Sequence, residues 1–157
     1  MRGRNAVVCA VAVVAVGAAV VGTLTDYDVP AGPFAHGAPC AGVVAGLPGT
    51  LLGQGRDAVD GVGAAGWGGG SIVLRCGVRP LGPTVDTCVN VDGVDWVLDD
   101  GRAGRGGVWA FTTYGREPAV EVVFAGGSRS AGDALIAVNK GVRGFPQNSK
   151  CLALSDT

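Results

Sequence analysis

The sequence predicts an α+β fold, in which a small antiparallel sheet of about four strands has two helices packed on one face. Segments with strand character lie together in the middle of the chain, and apolar residues at helical spacing lie before and after them. Two of the predicted strands are separated only by Gly115–Pro118, a connection that is too short for a parallel crossover. The order helix, strands, helix is typical of a two-layer domain.

The N-terminal residues 1–24 have the features of a signal anchor or a signal peptide. Arg2 and Arg4 precede an uncharged, apolar run at residues 6–24, which as a helix spans about 28 Å, close to the roughly 30 Å hydrocarbon core of a bilayer. Because the arginines come first, the positive-inside rule places the rest of the chain outside the cell membrane. The small residues Gly17–Ala19 leave cleavage open as the alternative, which would release a secreted domain.

Residues 25–39 contain three prolines and no apolar periodicity, which predicts a Pro/Gly-rich tether. The extracytoplasmic α+β domain is then expected over residues 40–157. The single histidine, His36, falls in the predicted tether, where it would have no fixed neighbours. We therefore do not expect it to act as a catalytic base or a metal ligand.

A short helix and then a loop are predicted between the tether and the strands. From Pro39 onward, Val43, Leu47 and Leu51 recur at helical spacing, with a break or restart at Pro48. Residues 53–70 are rich in glycine and poor in apolar side chains, which is typical of a loop.

The remaining elements follow from alternation and from turn and cap residues. Asp92-Gly93 is a turn pair that precedes a strand, and Leu135 and Val138 indicate a final helix with Ser130 as its N-cap. The predicted strands are Ser71–Gly77, Val94–Leu98, Val108–Tyr114 and Ala119–Phe124, and the predicted final helix is Ala131–Val142.

Four cysteines follow the apolar run, at positions 40, 76, 88 and 151. Outside the cell membrane an even set of cysteines predicts disulfides, here two. Three pairings are open, and we favour Cys76–Cys88, which closes a short loop, together with Cys40–Cys151. The alternative is a zinc site, but the set has no C-x-x-C pair, so no metal is expected.

Composition and motifs exclude several classes of function. A net charge of -1 excludes a strongly basic nucleic-acid-binding protein, so nucleic acid is not an expected partner. The G-x-G-x-x-G match at Gly61–Gly66 is expected by chance in a chain with 29 glycines, and no predicted strand precedes it. The chain has no G-x-S-x-G elbow. We therefore expect no cofactor, and serine-hydrolase chemistry is improbable.

Acidic residues around the predicted hairpins leave glycoside hydrolysis as an alternative, because two carboxylates at the required separation act as acid and base. Acids at such positions more often form turns or solvated surfaces, so no catalytic residue is expected. The acidic residues are Asp92, Asp95, Asp99, Asp100, Glu117 and Glu121.

Arg116, Asp95 and Trp96 are the candidate binding residues. Arg116 could hold an anionic ligand beside the other two, but a hairpin arginine more often braces the fold by pairing with an acid such as Asp95. Trp96, Trp109 and Phe111 could form a stacking platform for sugars, although aromatic residues of a half-buried sheet more often pack in its core. We expect the structural role in both cases.

Several segments of the domain have a recognisable combination of cysteine, tryptophan and arginine. They are Cys40 with Leu47-Pro48, Ala65–Gly68, Ile72–Val78, Gly93–Trp96 and Phe111–Val122. In these segments the chain resembles the family called domain of unknown function 3515, with the departure that Gly66 interrupts the Ala-Trp-Gly segment.

The resemblance implies an anchored or secreted envelope protein of actinobacteria, with no established activity or cofactor. We expect a non-enzymatic interaction or structural module that meets another envelope protein or a wall polymer. The alternative is an extracytoplasmic ligand-binding or hydrolytic domain that acts on an envelope component.

Overall fold

A computed structural model describes residues 26–127 and 130–152. The predicted signal anchor or signal peptide, residues 1–24, lies outside the described residues. Within the described ranges, no helix is long and apolar enough to cross a membrane.

The domain is built on one six-stranded antiparallel sheet, in the order β5-β6-β10-β9-β8-β7. Two small two-stranded pairs, β1-β4 and β2-β3, lie outside it. The elements in chain order are β1 (Asp26–Asp28), α1 (Ala38–Ala45), β2 (Thr50–Leu51), β3 (Gln54–Gly55), β4 (Ala58–Asp60), β5 (Ala64–Trp67), β6 (Ile72–Val78), β7 (Cys88–Val91), β8 (Val94–Leu98), α2 (Asp100–Ala103), β9 (Trp109–Thr113), β10 (Ala119–Phe124) and α3 (Ala131–Val142).

Alternation along the central strands builds the core on one face of the sheet. Val122 lies opposite Leu74 on β6 and Phe111 on β9, and all three are buried. Val43 of α1 and Leu135 of α3 belong to the same buried cluster, so these two helices cover this face. The predicted α+β class is confirmed, but the sheet has six strands where about four were predicted.

The predicted hairpin of β9 and β10, the Asp92-Gly93 turn and the final helix are confirmed, with small shifts of the element ends. Asp92 and Gly93 both have positive φ, 47° and 81°, which is the type I′ geometry expected of an Asp-Gly turn. The predicted final helix matches α3, although Ser130 makes no side-chain cap hydrogen bond. The two strands of this sheet that were missed, β5 and β7, have only four residues each, and three of the four in β5 are alanine or glycine.

The first helix and the predicted loop differ from expectation. The helix begins at Ala38, one residue before the predicted start, with Pro39 in its first turn, where a missing N–H costs nothing, and it ends at Ala45. Leu51, predicted on this helix, lies instead in the β2–β3 hairpin. Residues 53–70, predicted as a loop, contain three strands. Strands β3 and β5 pair with their chain neighbours β2 and β6, and β4 pairs with β1, about 30 residues earlier.

The segment predicted as a tether is part of the folded domain from Asp26 onward. Strand β1 pairs in parallel with β4, and Val29 and Ala35 are buried. The backbone N–H of Phe34 donates to the carbonyl of Gly77 at 2.9 Å. A tether was the wrong prediction for residues 26–36, because they are held by contacts with β4 and β6, which no periodicity within the segment indicates.

The G-x-G-x-x-G match is explained by this N-terminal segment and not by a nucleotide. A Cβ atom on Gly66 would collide with the hydroxyl of Tyr27, and one on Gly61 would approach the carbonyl of Val29. Gly63 has a φ of 69° and lies against Ala35. These glycines therefore allow residues 27–35 to lie directly on the backbone of β4 and β5.

Two disulfides are present, but with a different pairing from the favoured one. Cys40 of α1 bonds Cys76 of β6, with Cα atoms 5.4 Å apart, and Cys88 of β7 bonds Cys151, with Cα atoms 6.1 Å apart. Cys76 and Cys88 cannot meet, because β6 and β7 are four strand positions apart, about 19 Å. Closeness in sequence was therefore a poor guide to pairing in this sheet.

Candidate functional site

Asp95 lies in a buried polar cluster where β8 meets the C-terminal segment, residues 145–152. Its Oδ1 atom accepts a hydrogen bond from Asn90 Nδ2 at 2.6 Å. Its Oδ2 atom accepts from Gln147 Nε2 at 2.8 Å and from the backbone N–H of Cys151 at 3.0 Å. Three donors satisfy this carboxylate, so it holds the C-terminal segment against the sheet.

Arg116, at the β9–β10 connection, is only 6% exposed. Its guanidinium donates to the carbonyl of Phe145, to the carbonyl of Gly93 at 3.4 Å and to Gln147 Oε1 at 3.5 Å. Its Nε atom has no hydrogen-bond partner among the described residues. The structural role predicted for Arg116 fits these contacts, but its partners are carbonyl oxygens and an amide instead of a carboxylate.

Gln147 explains why Arg116 and Asp95 do not pair directly. Its amide oxygen accepts from Arg116 while its amide nitrogen donates to Asp95. Residue 147 also forms a backbone bridge with Arg116, and the N–H of Asn148 donates to the carbonyl of Gly115 at 2.6 Å. The bridging side chain comes from a segment with no periodic pattern, so neither alternation nor turn chemistry pointed to it.

Trp96 is fully buried in the core. Its indole Nε1 donates to Asn139 Oδ1 at 3.1 Å, and Asn139 Nδ2 donates to the carbonyl of Val91 at 2.6 Å. A buried tryptophan with a satisfied N–H is a packing residue. Phe111 is buried as well. Neither side chain is available as a stacking surface for a sugar.

The structure thus brings the three candidate residues close in the fold but assigns them separate structural tasks. Asp95 and Trp96 are consecutive on β8 and so face opposite sides of the sheet. Arg116 is linked to Asp95 through Gln147 and has no described hydrogen bond to Trp96.

A more accessible charged cluster lies on the face of the sheet opposite α1 and α3. Glu121 Oε1 accepts from Arg75 at 2.6 Å, and Oε2 accepts from Arg102 at 3.2 Å. A cleft of about 200 Å³ adjoins this cluster and is lined also by Arg79 and Asp99. Glu121 was among the acidic residues named from the sequence, but Arg75 was not. Arg75 interrupts an apolar strand at a position that alternates with core residues, and this signal could have identified it.

The other carboxylates considered for glycoside hydrolysis make contacts of their own. Asp99 caps α2 by accepting from the N–H of Arg102 at 2.9 Å. Asp100 Oδ2 accepts from the N–H and the hydroxyl of Thr87, both at 3.1 Å. Asp92 pairs with Arg143 at the surface. These contacts match the expected role of acids in turns and at the surface.

Tyr27 and Asp57 form a cluster that sequence reasoning missed. The Tyr27 hydroxyl donates to Asp57 Oδ2 at 2.9 Å, and the backbone N–H groups of Gly69 and Gly70 donate to the same carboxylate at 3.0 and 2.9 Å. Burial opposes the charge on Asp57, but these three donors outweigh it and hold the pKa of the carboxyl below its ordinary value. Burial raises the pKa of Tyr27 to about 12, and the hydrogen bond to Asp57 and the negative charge of that carboxylate act in the same direction.

An apolar cleft of about 350 Å³ lies where α1, the 79–80 segment and the β9–β10 connection meet. Phe34, which is 52% exposed, borders it together with Pro39, Pro80 and Pro118. Glu117 lies at its rim. An exposed aromatic side chain surrounded by prolines is typical of a surface that contacts another macromolecule.

His36 is exposed on the packed N-terminal segment. Across residues 26–127 and 130–152, no group of three or more histidine, cysteine or acidic residues is arranged to hold a metal ion. The four cysteines of the zinc alternative are all engaged in disulfides.

Comparison with known proteins places the chain in a family. The family model described as "Protein of unknown function (DUF3515)" matches residues 5–148, which is most of the chain. No curated protein and no solved structure matches the chain significantly. The chain therefore belongs to this family, as its segments predicted.

Proposed function

We propose that this member of the family is a non-enzymatic interaction domain, held on the outer side of the cell membrane by residues 6–24. Its partner is another envelope protein or a wall polymer. The actinobacterial envelope is the setting that the family resemblance suggests.

One observation carries the non-enzymatic part of the proposal. The polar side chains that would be nominated for binding or catalysis, Arg116 and Asp95, are buried and bonded within the chain. An enzyme keeps its acid, base or anion-binding groups within reach of a substrate. Here those groups instead fix residues 145–151 to the sheet, which is what a rigid binding scaffold requires.

The two disulfides support a location outside the cytoplasm. Cys40–Cys76 is fully buried between α1 and β6, and Cys88–Cys151 joins the edge strand β7 to the C-terminal segment. Disulfides of this structural kind persist in oxidising surroundings outside the cytoplasm. The apolar run at residues 6–24 provides the route to that compartment.

The apolar cleft at Phe34 is the surface that we assign to the partner. It combines an exposed aromatic ring with prolines, which hold their shape without a cost in conformational entropy on binding. A ligand-binding or hydrolytic role is the second candidate, and the cleft beside Glu121 favours it, because Asp86 and Asp99 also border that cleft.

Location and thiol state test the first part of the proposal. The full chain, produced in a bacterium with a C-terminal tag, should remain with membranes after alkaline washing and should be digested by protease added to spheroplasts. Alkylation in denaturant before reduction should label Cys9, the cysteine of the apolar run, but none of the four domain cysteines. A chain in the cytosol, or one with reactive domain thiols, would contradict the proposal.

Binding tests the second part. The purified full chain in mild detergent should co-sediment with isolated cell walls or with wall-associated protein, and Phe34→Ser should weaken this binding. Ile136→Ser, at an apolar position of α3 that is exposed to a similar extent, 49%, and borders neither cleft, is the matched control. Loss of binding in Glu121→Gln but not in Phe34→Ser would support the ligand-binding alternative instead.

A further inference from the structure

Only residue 25 separates the apolar run from the described domain. The apolar run ends at Leu24, and β1 begins at Asp26, already paired with Ala58 of β4. One intervening residue spans at most about 3.6 Å. We propose that the end of the domain at which β1 begins, called here the entry end, rests on the lipid bilayer, with the Leu52-Gly53 turn as its apolar contact; this rests on the proposed membrane anchoring.

The Leu52-Gly53 turn lies at the entry end together with two other turns. The N–H of Gly68 donates to the carbonyl of Gly55 at 3.2 Å, which joins the β2–β3 hairpin to the turn after β5. A cavity of about 220 Å³ is lined by Leu52, Ser71 and Phe124, so the loop after β10 is also close. Asp57, next to the start of β4, bonds the amides of Gly69 and Gly70 and thereby fixes the same turn to β1 through Tyr27.

Leu52 is an unfavourable residue for its position if the fold alone is considered. It has a φ of 49° and Gly53 a φ of 75°, the geometry of a type I′ turn that asparagine and glycine prefer. A leucine in this region of φ is strained, and its side chain is also 41% exposed. Strain that is combined with an exposed apolar side chain points to a function at that residue, and burial in lipid would remove the exposure.

The contact that we propose is apolar and local. Asp26 and Asp57 carry negative charge at the entry end, and Arg56 carries positive charge there. Because these charges are mixed, anionic lipid has no strong attraction for this surface. Insertion of one leucine near the anchor is sufficient, since the anchor already holds the domain at the membrane.

The test uses the full chain reconstituted into vesicles of phosphatidylethanolamine and phosphatidylglycerol. Flotation first establishes whether the chain is anchored. Photoreactive p-benzoylphenylalanine then replaces either Leu52 or Val62, which is 46% exposed in the turn at the far end of β4. Because burial of a leucine-sized side chain in hydrocarbon is favourable, we expect a yield of lipid adducts at position 52 about tenfold that at position 62.

A second pair of variants covers the case in which the photoreactive residue disturbs the turn. Leu52→Asn suits the left-handed backbone and removes the apolar side chain, so vesicles should protect residues 50–55 less from hydrogen exchange than in the parent chain. Val62→Asn should leave that protection unchanged.

The outcomes separate this inference from the proposed function. A chain that does not float with vesicles overturns both. A chain that floats but gives equal or no adducts at positions 52 and 62, with protection unaffected by Leu52→Asn, overturns the entry-end contact and leaves the anchoring intact. Adducts that vanish when phosphatidylglycerol is omitted would contradict the apolar character of the contact.

Discussion

Truncation of Arg116 tests whether its guanidinium braces the fold or is kept for a ligand. Arg116→Ala removes hydrogen bonds to Gln147 and to the carbonyls of Gly93 and Phe145, at a site that is only 6% exposed. A hydrogen bond to a charged group contributes about 1.5 to 3 kcal/mol. Two of the three contacts are long, 3.4 and 3.5 Å, so we expect the variant to lose about 3 kcal/mol of unfolding free energy in total.

Urea unfolding of the full chain in mild detergent, with disulfides intact, measures this loss through the fluorescence of the buried Trp67 and Trp96. Arg143→Ala is the matched control, because that side chain is 48% exposed and pairs at the surface with Asp92. Such a pair contributes less than about 1 kcal/mol. If Arg116→Ala unfolds at the same urea concentration as Arg143→Ala, the bracing role is wrong and a ligand-binding role gains support.

Three further predictions concern the Tyr27 and Asp57 cluster. Because the pKa of Tyr27 is raised in the folded state, this residue stabilises the fold fully below pH 10, and the stabilisation is lost as the pH rises toward 12. The melting temperature of the parent chain should therefore fall over this pH range, and Tyr27→Phe should remove the part of the fall that is due to Tyr27. The lowered pKa of Asp57 means that its stabilisation is present above its ordinary pKa and is lost as the pH falls through the folded value. Asp57→Asn should therefore be less stable than the parent at pH 7, and urea midpoints of the two should converge in acid. Gly66→Ala should displace the Tyr27 hydroxyl and lower the free energy of unfolding by about 1 to 3 kcal/mol, with faster hydrogen exchange at residues 26–28. Gly49→Ala, where the added Cβ meets open space, should change neither quantity.

Local patterns were reliable where a segment carries its own signal. The hairpin of β9 and β10 follows from a connection too short for anything else, and the final helix from its apolar spacing. The burial of Trp96 also followed from general behaviour, because aromatic residues on half-buried strands pack inward. Strand β5 carries no such signal, since Ala-Ala-Gly-Trp has a strand conformation only because β6 lies beside it.

In the candidate site, too, the residue types were predictable from local sequence, but their partners were not. Arg116 could be recognised as a bracing residue from its place in a hairpin, but its partners could not. They come from Gly93, Phe145 and Gln147, which lie 23 to 31 residues away in two separate segments. Glu121 was named from the sequence as one of the candidate acids, whereas its pairing with Arg102 depends on where α2 lies over the sheet.

Membership of the family, the α+β class and the presence of two disulfides are readable from residue types and short spacings, because each depends on neighbours in the chain. The pairing of the cysteines, the packing of residues 26–36 and the position of Leu52 beside the chain entry were decided by the tertiary structure. These features depend on which strands are adjacent across the sheet. Strand order follows from the burial of the whole core, so no local segment specifies it.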